Sequence, residues 1–113
     1  MHWFPLSSLA ELDALLAQSA NGPVVIFKHS TSCSISAMAK SRLERQWPGA
    51  VGSTVRAYYL DLLRHRAVSS AVAQTLGVTH ESPQLLLVQH GRCTYHASHM
   101  EIRVDAVKAL IGG

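Results

Sequence analysis

Four consecutive apolar residues, Val24-Val25-Ile26-Phe27, lie between an Asn21-Gly22-Pro23 stop and the polar stretch His29 to Ser32. A strand that is hydrophobic at every position has no face to turn toward water, so it belongs in the middle of a sheet covered on both sides. After the polar loop, Ile35, Ala39, Leu43 and Trp47 recur every four positions, with Met38 in the same stripe, up to Pro48-Gly49. That spacing predicts a helix, with Cys33 at its start. A buried strand, a short loop and a helix form the crossover unit of a parallel sheet.

The rest of the chain extends this unit. Upstream, Ser7 or Ser8 caps a helix whose apolar positions are Leu9, Leu12, Leu15 and Leu16. Downstream, Val55 to Leu60 reads as a second strand and Val68 to Leu76, closed by Gly77, as a second connecting helix. Leu85 to Gln89, a tight turn at His90-Gly91 and Arg92 to Ala97 form a hairpin. Val104, Val107, Leu110 and Ile111 place one apolar stripe on a final short helix. The expected order is αβαβαββα: an α/β fold with a mixed four-stranded sheet flanked by helices and an extra N-terminal helix, all in one domain spanning residues 1–113.

Composition removes several classes of function. Ten Lys and Arg against seven Asp and Glu give a net charge of +3, and 48% of the chain is apolar, enough for an ordinary core. The closest basic pair is Arg64 and Arg66, with no dense stripe to track a phosphate backbone, so nucleic acid is not an expected partner. The apolar runs Val24–Phe27 and Leu85–Val88 fall far short of the roughly 20 residues that cross a bilayer. The opening Met1-His2-Trp3-Phe4-Pro5 has no secretory pattern, so a cytoplasmic location is expected. In that reducing compartment Cys33 and Cys93 are expected to remain thiols.

Cys33 carries the chemical interest. A cysteine at the first turn of a helix faces unpaired backbone N–H groups and the positive end of the helix dipole, and both favour thiolate, the nucleophilic form, over thiol. Ser36, three positions on, lies on the same helical face. A dithiol oxidoreductase holds its resolving cysteine there, whereas a hydroxyl can offer the sulfur a hydrogen bond but cannot resolve a mixed disulfide. Monothiol chemistry follows, with Cys33 and Ser36 as the candidate catalytic pair. Pro83 precedes the third strand and is expected to face the Cys33 loop, where a cis Ser82-Pro83 bond would expose the Ser82 backbone to an extended substrate. Thr31, Ser32, Ser34, Ser82 and Pro83 form the candidate substrate-binding set.

The segment Phe27-Lys28-His29-Ser30-Thr31-Ser32-Cys33-Ser34-Ile35-Ser36 resembles the active-site segment of the YtxJ-like monothiol bacilliredoxins. His80-Glu81-Ser82-Pro83-Gln84 and Tyr95-His96-Ala97-Ser98-His99 resemble that family's other two signature segments, in the expected order. The resemblance implies a thioredoxin-like fold, no bound cofactor, and bacillithiol as thiol co-substrate. It further implies a reaction that strips bacillithiol from client proteins through Cys33, with Ser36 and Pro83 as the other matching site residues. The family commonly has proline where this chain has Ser34, a change that bears on the thiol's poise rather than on the nucleophile itself. Met100 stands where an aromatic residue is expected and is assigned no role.

Other readings compete. Glutathione could replace bacillithiol on the same nucleophile. An iron–sulfur carrier of the monothiol glutaredoxin kind resembles Cys-Gly-Phe-Ser, whereas this chain reads Cys-Ser-Ile-Ser. A non-catalytic adaptor would bind peptides beside Pro83. Lys28 and Lys40 are candidate partners for bacillithiol carboxylates, although solvated surface lysines are the expectation. His29 is expected as a loop histidine bonded to backbone or water, and His80 and Glu81 as polar residues near Pro83. Cys93 and His96 differ by an odd number and should face opposite sides of a regular strand, which argues against a metal site with His99.

Overall fold

The structure is a computed structural model that describes residues 1–111. Its elements are β1 (Trp3–Pro5), α1 (Leu9–Gln18), β2 (Val24–His29), α2 (Ser34–Ala50), β3 (Arg56–Asp61), α3 (Arg66–Leu76), β4 (Gln84–Gln89), β5 (Arg92–Ser98), a 3-10 turn (His99–Glu101) and α4 (Val104–Ile111). The sheet runs β1-β3-β2-β4-β5, so β2 is central, as its unbroken apolar run requires. β3 is parallel to β1 and β2, β4 is antiparallel to β2, and β5 returns antiparallel on β4.

Each face of β2 supplies one core. Val25 and Phe27 join Ala39, Leu43, Trp47, Val104 and Val107 beneath α2 and α4. Val24 and Ile26 join Leu12, Leu15, Val68 and Val72 beneath α1 and α3. Ser8 caps α1 by accepting the Glu11 N–H at 3.1 Å, while the Glu11 carboxylate reaches back to the Ser7 N–H at 2.7 Å, two helix-opening bonds of the capping-box kind. The hairpin turns through His90 and Gly91, both with positive φ of 53° and 75°, as a two-residue turn with right-handed strand twist demands.

Four expectations about the fold need correction. The sheet has five strands rather than four, because Trp3–Pro5 adds an edge strand to β3. Its three residues carry no periodic signal; distant partners hold it, with Trp3 stacked on Phe27 at 5.7 Å and Phe4 tilted against Tyr58 at 5.6 Å on the opposite face. Pro5 is acceptable there because an edge strand leaves one N–H side unpaired. The buried stripe of α2 is Ser36, Ala39, Leu43 and Trp47, whereas Ile35 and Met38 are exposed at 41% and 55%, because the first turn of α2 presents Ser36 rather than Ile35 to the sheet. That helix also runs through Pro48 to Ala50 and ends only where Gly52, at φ 70°, donates its N–H to the Trp47 carbonyl. Leu110 of α4 is half-exposed, and its core contact is made by Val104 and Val107. Among the described residues no helix is long and apolar enough to cross a membrane.

Candidate functional site

β2 ends at His29, and four residues later Cys33 takes the N-cap position of α2 in extended conformation, φ −112° and ψ 120°. The loop between them closes on itself, the Cys33 N–H donating to the Ser30 carbonyl at 3.2 Å. The first helical bond of α2 is Ala37 N–H to the Cys33 carbonyl at 3.1 Å, so the N–H groups of Ser34, Ile35 and Ser36 have no helical acceptor. Cys33 is half-exposed, and its side chain makes no capping hydrogen bond. The thiol is therefore uncommitted, at the positive end of a 17-residue helix and within reach of solvent. Thr31, Ser32 and Ser34 flank it and are all exposed.

Ser36 is placed differently from the sequence-based expectation. It is fully buried, and its Oγ lies 2.6 Å from His29 Nδ1 while accepting the Ser30 N–H at 3.1 Å. Those bonds, rather than one to the Cys33 sulfur, occupy the hydroxyl. His29 is correspondingly no loop residue: it closes β2, is buried, and stacks on Phe27 at 5.8 Å with Tyr59 at 5.5 Å. Burial, first, and the nearby Lys40 ammonium hold its protonation below the ordinary histidine range, against the opposing pull of Asp61. Asp61 faces His29 across the β2–β3 pair, with its Oδ1 buried and without a partner among the described residues.

Pro83 lies next to this loop. Gln84, the first residue of β4, pairs with Lys28, so the Pro83 segment and the Cys33 loop leave the sheet at the same end. The Ser82-Pro83 bond is cis. The Pro83 carbonyl accepts the His99 N–H at 3.0 Å, which ties the end of β5 to this segment. The Ser82 N–H and C=O have no protein partner among the described residues, and the Ser82 Oγ is buried without one. The structure thus brings Cys33, the serines and threonine beside it, Ser82 and Pro83 to one end of the sheet. Exposed apolar side chains stand at that same end: Ile35 on α2, Leu63 just after β3, and Met100 in the 3-10 turn after β5.

Lys28 is not a surface lysine. Alternation along β2 turns it toward α3, where it is fully buried, with Nζ 3.2 Å from the Ser69 carbonyl and 3.1 Å from His80 Nδ1. Burial pulls its pKa down to about 8. His80 and Ser69 also line a groove of about 350 Å3 with Leu62, Arg66, Ser70 and Gln74. The signal for this burial was present in the sequence, since Lys28 is two positions beyond Ile26 in a strand covered on both faces. Lys40 is half-buried on α2 and bonds Glu44 at 3.0 Å, with its ammonium 5.8 Å from the Tyr59 ring centroid. Glu81 pairs with His99 at 3.7 Å. A larger apolar hollow of about 420 Å3, lined by Phe4, Trp47 and Pro48 among others, lies toward the far end of α2. Trp47 is 14 residues along the helix, about 20 Å from Cys33 at 1.5 Å per residue.

The parity argument at Cys93 also fails. A β-bulge opposite Leu87 and Val88 puts Cys93 across from Val88 and His96 across from Leu86, so the two share a face of the sheet. Cys93 is half-buried against the α1 and α3 side of the core, donates to the Tyr95 carbonyl at 3.3 Å, and has its pKa raised by burial. No group of three metal-ligating side chains forms among the described residues. Both cysteines are free thiols.

Comparison with known proteins places this geometry. The family model described as monothiol bacilliredoxin BrxC matches residues 4–107. The chain belongs to that family. A solved structure described as having a thioredoxin fold is 26% identical, with a TM-score of 0.82 over 97% of this chain and 93% of that one. The Malassezia sympodialis thioredoxin Mala s 13 is 19% identical, with a TM-score of 0.74 over 98% of this chain and 89% of that one. Oxidised mitochondrial thioredoxin 3 from Saccharomyces cerevisiae is 20% identical, with a TM-score of 0.71 over 97% of this chain and 93% of that one. The fold is that of thioredoxin, and this bacilliredoxin is a thiol–disulfide oxidoreductase.

Proposed function

We propose that this bacilliredoxin removes bacillithiol from client proteins by a single-thiol mechanism in which Cys33 is the nucleophile. The reading rests on one observation above all: the half-exposed, unbonded Cys33 thiol opens α2, and the residue one turn on is a buried hydroxyl, not a second thiol. The Cys33 thiolate attacks the bacillithiol sulfur of a client mixed disulfide; the old S–S bond breaks and the client leaves as thiolate, which takes a proton from water. A second bacillithiol thiolate then attacks the bacillithiol sulfur held on Cys33. It forms bacillithiol disulfide and returns Cys33 as thiolate, so the client sulfur is reduced and the incoming bacillithiol is oxidised, the first bacillithiol remaining at the disulfide level throughout.

The helix N–H groups favour the charged sulfur at both ends of this cycle. Thr31, Ser32 and Ser34 supply polar contacts around the sulfur, and the unpaired Ser82 backbone beside Pro83 suits an extended client segment. Two unpaired cysteines accord with a reducing cytoplasm.

The test is to incubate the protein with a bacillithiolated client and, separately, with the same client glutathionylated, and to read intact mass. An adduct of bacillithiol mass on Cys33 from the first is expected. Adduct formation only from the glutathionylated client would reassign the co-substrate, and no adduct from either would end the proposal.

A further inference from the structure

Between α3 and β4 the chain crosses from Val78 to Pro83 and carries the unpaired Ser82 backbone to the end of the sheet where Cys33 lies. Thr79, His80, Glu81 and Ser82 make no backbone–backbone hydrogen bond among the described residues, so neither a ladder nor a turn fixes this stretch. Side chains hold it. Gln84 Nε2 donates to the Thr79 carbonyl at 3.0 Å, and Lys28 Nζ donates to His80 Nδ1 at 3.1 Å. Glu81 adds only an exposed contact with His99 at 3.7 Å, a kind of pair that contributes little.

The two short bonds have one origin. Lys28 and Gln84 face each other across the β2–β4 pair, and both are fully buried. Lys28 donates a second bond to the Ser69 carbonyl at 3.2 Å, which anchors its ammonium on α3. A charged ammonium has no lone pair, so His80 Nδ1 is the acceptor and the ring hydrogen stands on Nε2. Two neutral acceptors return only part of what the charge loses on leaving water, so stability does not account for a lysine in the central strand. Nor does Lys28 address the thiol: it lies on the α3 side of the sheet, whereas Cys33 opens α2 on the other.

We propose that Lys28 is a positioning residue for the client: together with Gln84 it holds the stretch from Thr79 to Ser82 so that the Ser82 N–H and C=O meet an extended client segment beside Cys33. The inference rests on the reading of Cys33 as nucleophile and of the Ser82 backbone as the client's pairing edge. Its consequence is selectivity. A substrate with a peptide segment gains from the held backbone, and a small disulfide without one does not.

The experiment compares two bacillithiol donors at pH 7 in a Cys93→Ser background: a short single-cysteine peptide carrying bacillithiol, and bacillithiol disulfide. With either donor the Cys33 thiolate attacks a bacillithiol sulfur and the same adduct forms; the departing thiolate is the peptide in one case and bacillithiol in the other. Intact mass gives the two second-order rates, and their ratio is the readout, in which leaving-group differences cancel between variant and parent. Lys28→Met keeps the stem and removes the donor, and loss of one charge-assisted bond corresponds to about tenfold. The peptide rate is expected to fall by about that factor and the disulfide rate to stay within about twofold. Gln84→Met is expected to lower the ratio in the same direction, and His80→Asn, which returns an acceptor at the Nδ1 position, to keep it within about threefold of the parent. A general loosening of the site would lower both rates together. An unchanged ratio in Lys28→Met, an equal fall of both rates, or a His80→Asn as impaired as Lys28→Met would each overturn the proposal. Where Lys28→Met fails to fold, a Gln84→Met at the parent ratio does so. A parent that accepts bacillithiol from neither donor would end the de-bacillithiolation reading and this inference with it, whereas a parent that accepts it from both, with the ratio unmoved in the variants, would end this inference alone.

Discussion

The ammonium of Lys28 lies 3.1 Å from Nδ1 of His80, fully buried and with no carboxylate partner among the described residues. Neutral acceptors compensate only part of what a charge loses on leaving water, which is why the Lys28 pKa falls to about 8. In the unfolded chain the amine holds its proton up to about pH 10.4. Between these values the unfolded state binds more protons than the folded one, so stability rises with pH through this window. Below about pH 8 both states carry the charge and its burial opposes folding in full. Lys28→Met should therefore be at least as stable as the parent near pH 7. The parent should gain on the variant by a few kcal/mol as pH climbs from about 8 to 10.5, read from urea midpoints across that range. Parallel curves for the two proteins would show that the amine keeps its proton to the same pH in the folded as in the unfolded chain, so that burial does not displace it.

Trp3 tests the edge strand. Its indole stacks on Phe27 at 5.7 Å and donates to Glu44 Oε2 at 2.9 Å, and this bond is the first cause holding the Glu44 carboxyl below the usual carboxylate range. A buried Trp→Ala change costs about 3–5 kcal/mol, and a half-buried edge residue should lose about 2. Trp3→Phe keeps the stacking and removes the donor, for about 1 kcal/mol. A carboxyl held down in the folded state contributes stability above its ordinary range that is lost as pH falls. The gap between Trp3→Phe and the parent should therefore close on going from pH 7 to pH 3 in thermal unfolding. A gap that persists in acid would assign the whole effect to packing.

What the sequence made legible follows from the range of the forces involved. Val24 to Phe27, the Gly77 stop and the His90-Gly91 turn are decided by their own neighbours, and each stands where periodicity and turn chemistry put it. The position of Cys33 at the helix start was readable for the same reason. The strand Trp3–Pro5 depends on partners 41 to 54 residues away and the bulge beside Cys93 on a register shift, and no local window contains them; Ser36 has its partners His29 and Ser30 only seven and six residues away, but its polar character gave no reason to turn it inward. Lys28 is the intermediate case: alternation in a fully covered strand already turned it inward, but its polar character suggested solvent.

The single-thiol mechanism predicts unequal cysteines. Cys33→Ser should abolish release of bacillithiol from a client, because no other exposed sulfur opens a helix. Cys93→Ser should retain most of it, since the Cys93 thiol is half-buried, bonded to the Tyr95 carbonyl and pushed upward in pKa by burial, all of which disfavour the thiolate. Release can be followed by mass shift of the client. Equal loss in both variants would point to a Cys33–Cys93 exchange in place of attack by bacillithiol.

Ser34 occupies the first position of α2, and its N–H has no acceptor, so proline there forfeits no hydrogen bond. Cys33, which would precede that proline, already holds φ −112° and ψ 120°, inside the extended region that a following proline imposes. Ser34→Pro is therefore expected to fold normally and to gain about 0.4–1 kcal/mol from the stiffer unfolded chain. It also removes one of the three N–H groups that open the helix beside the sulfur, so iodoacetamide should react with Cys33 more slowly in the variant at pH 6 than in the parent. A variant that is destabilised by more than 1 kcal/mol would mean that the Ser34 side chain contributes something its exposed position does not reveal. A variant that is stable but reacts as fast as the parent would mean that the Ser34 N–H does not act on the sulfur, leaving the Ile35 and Ser36 N–H groups as its candidate donors.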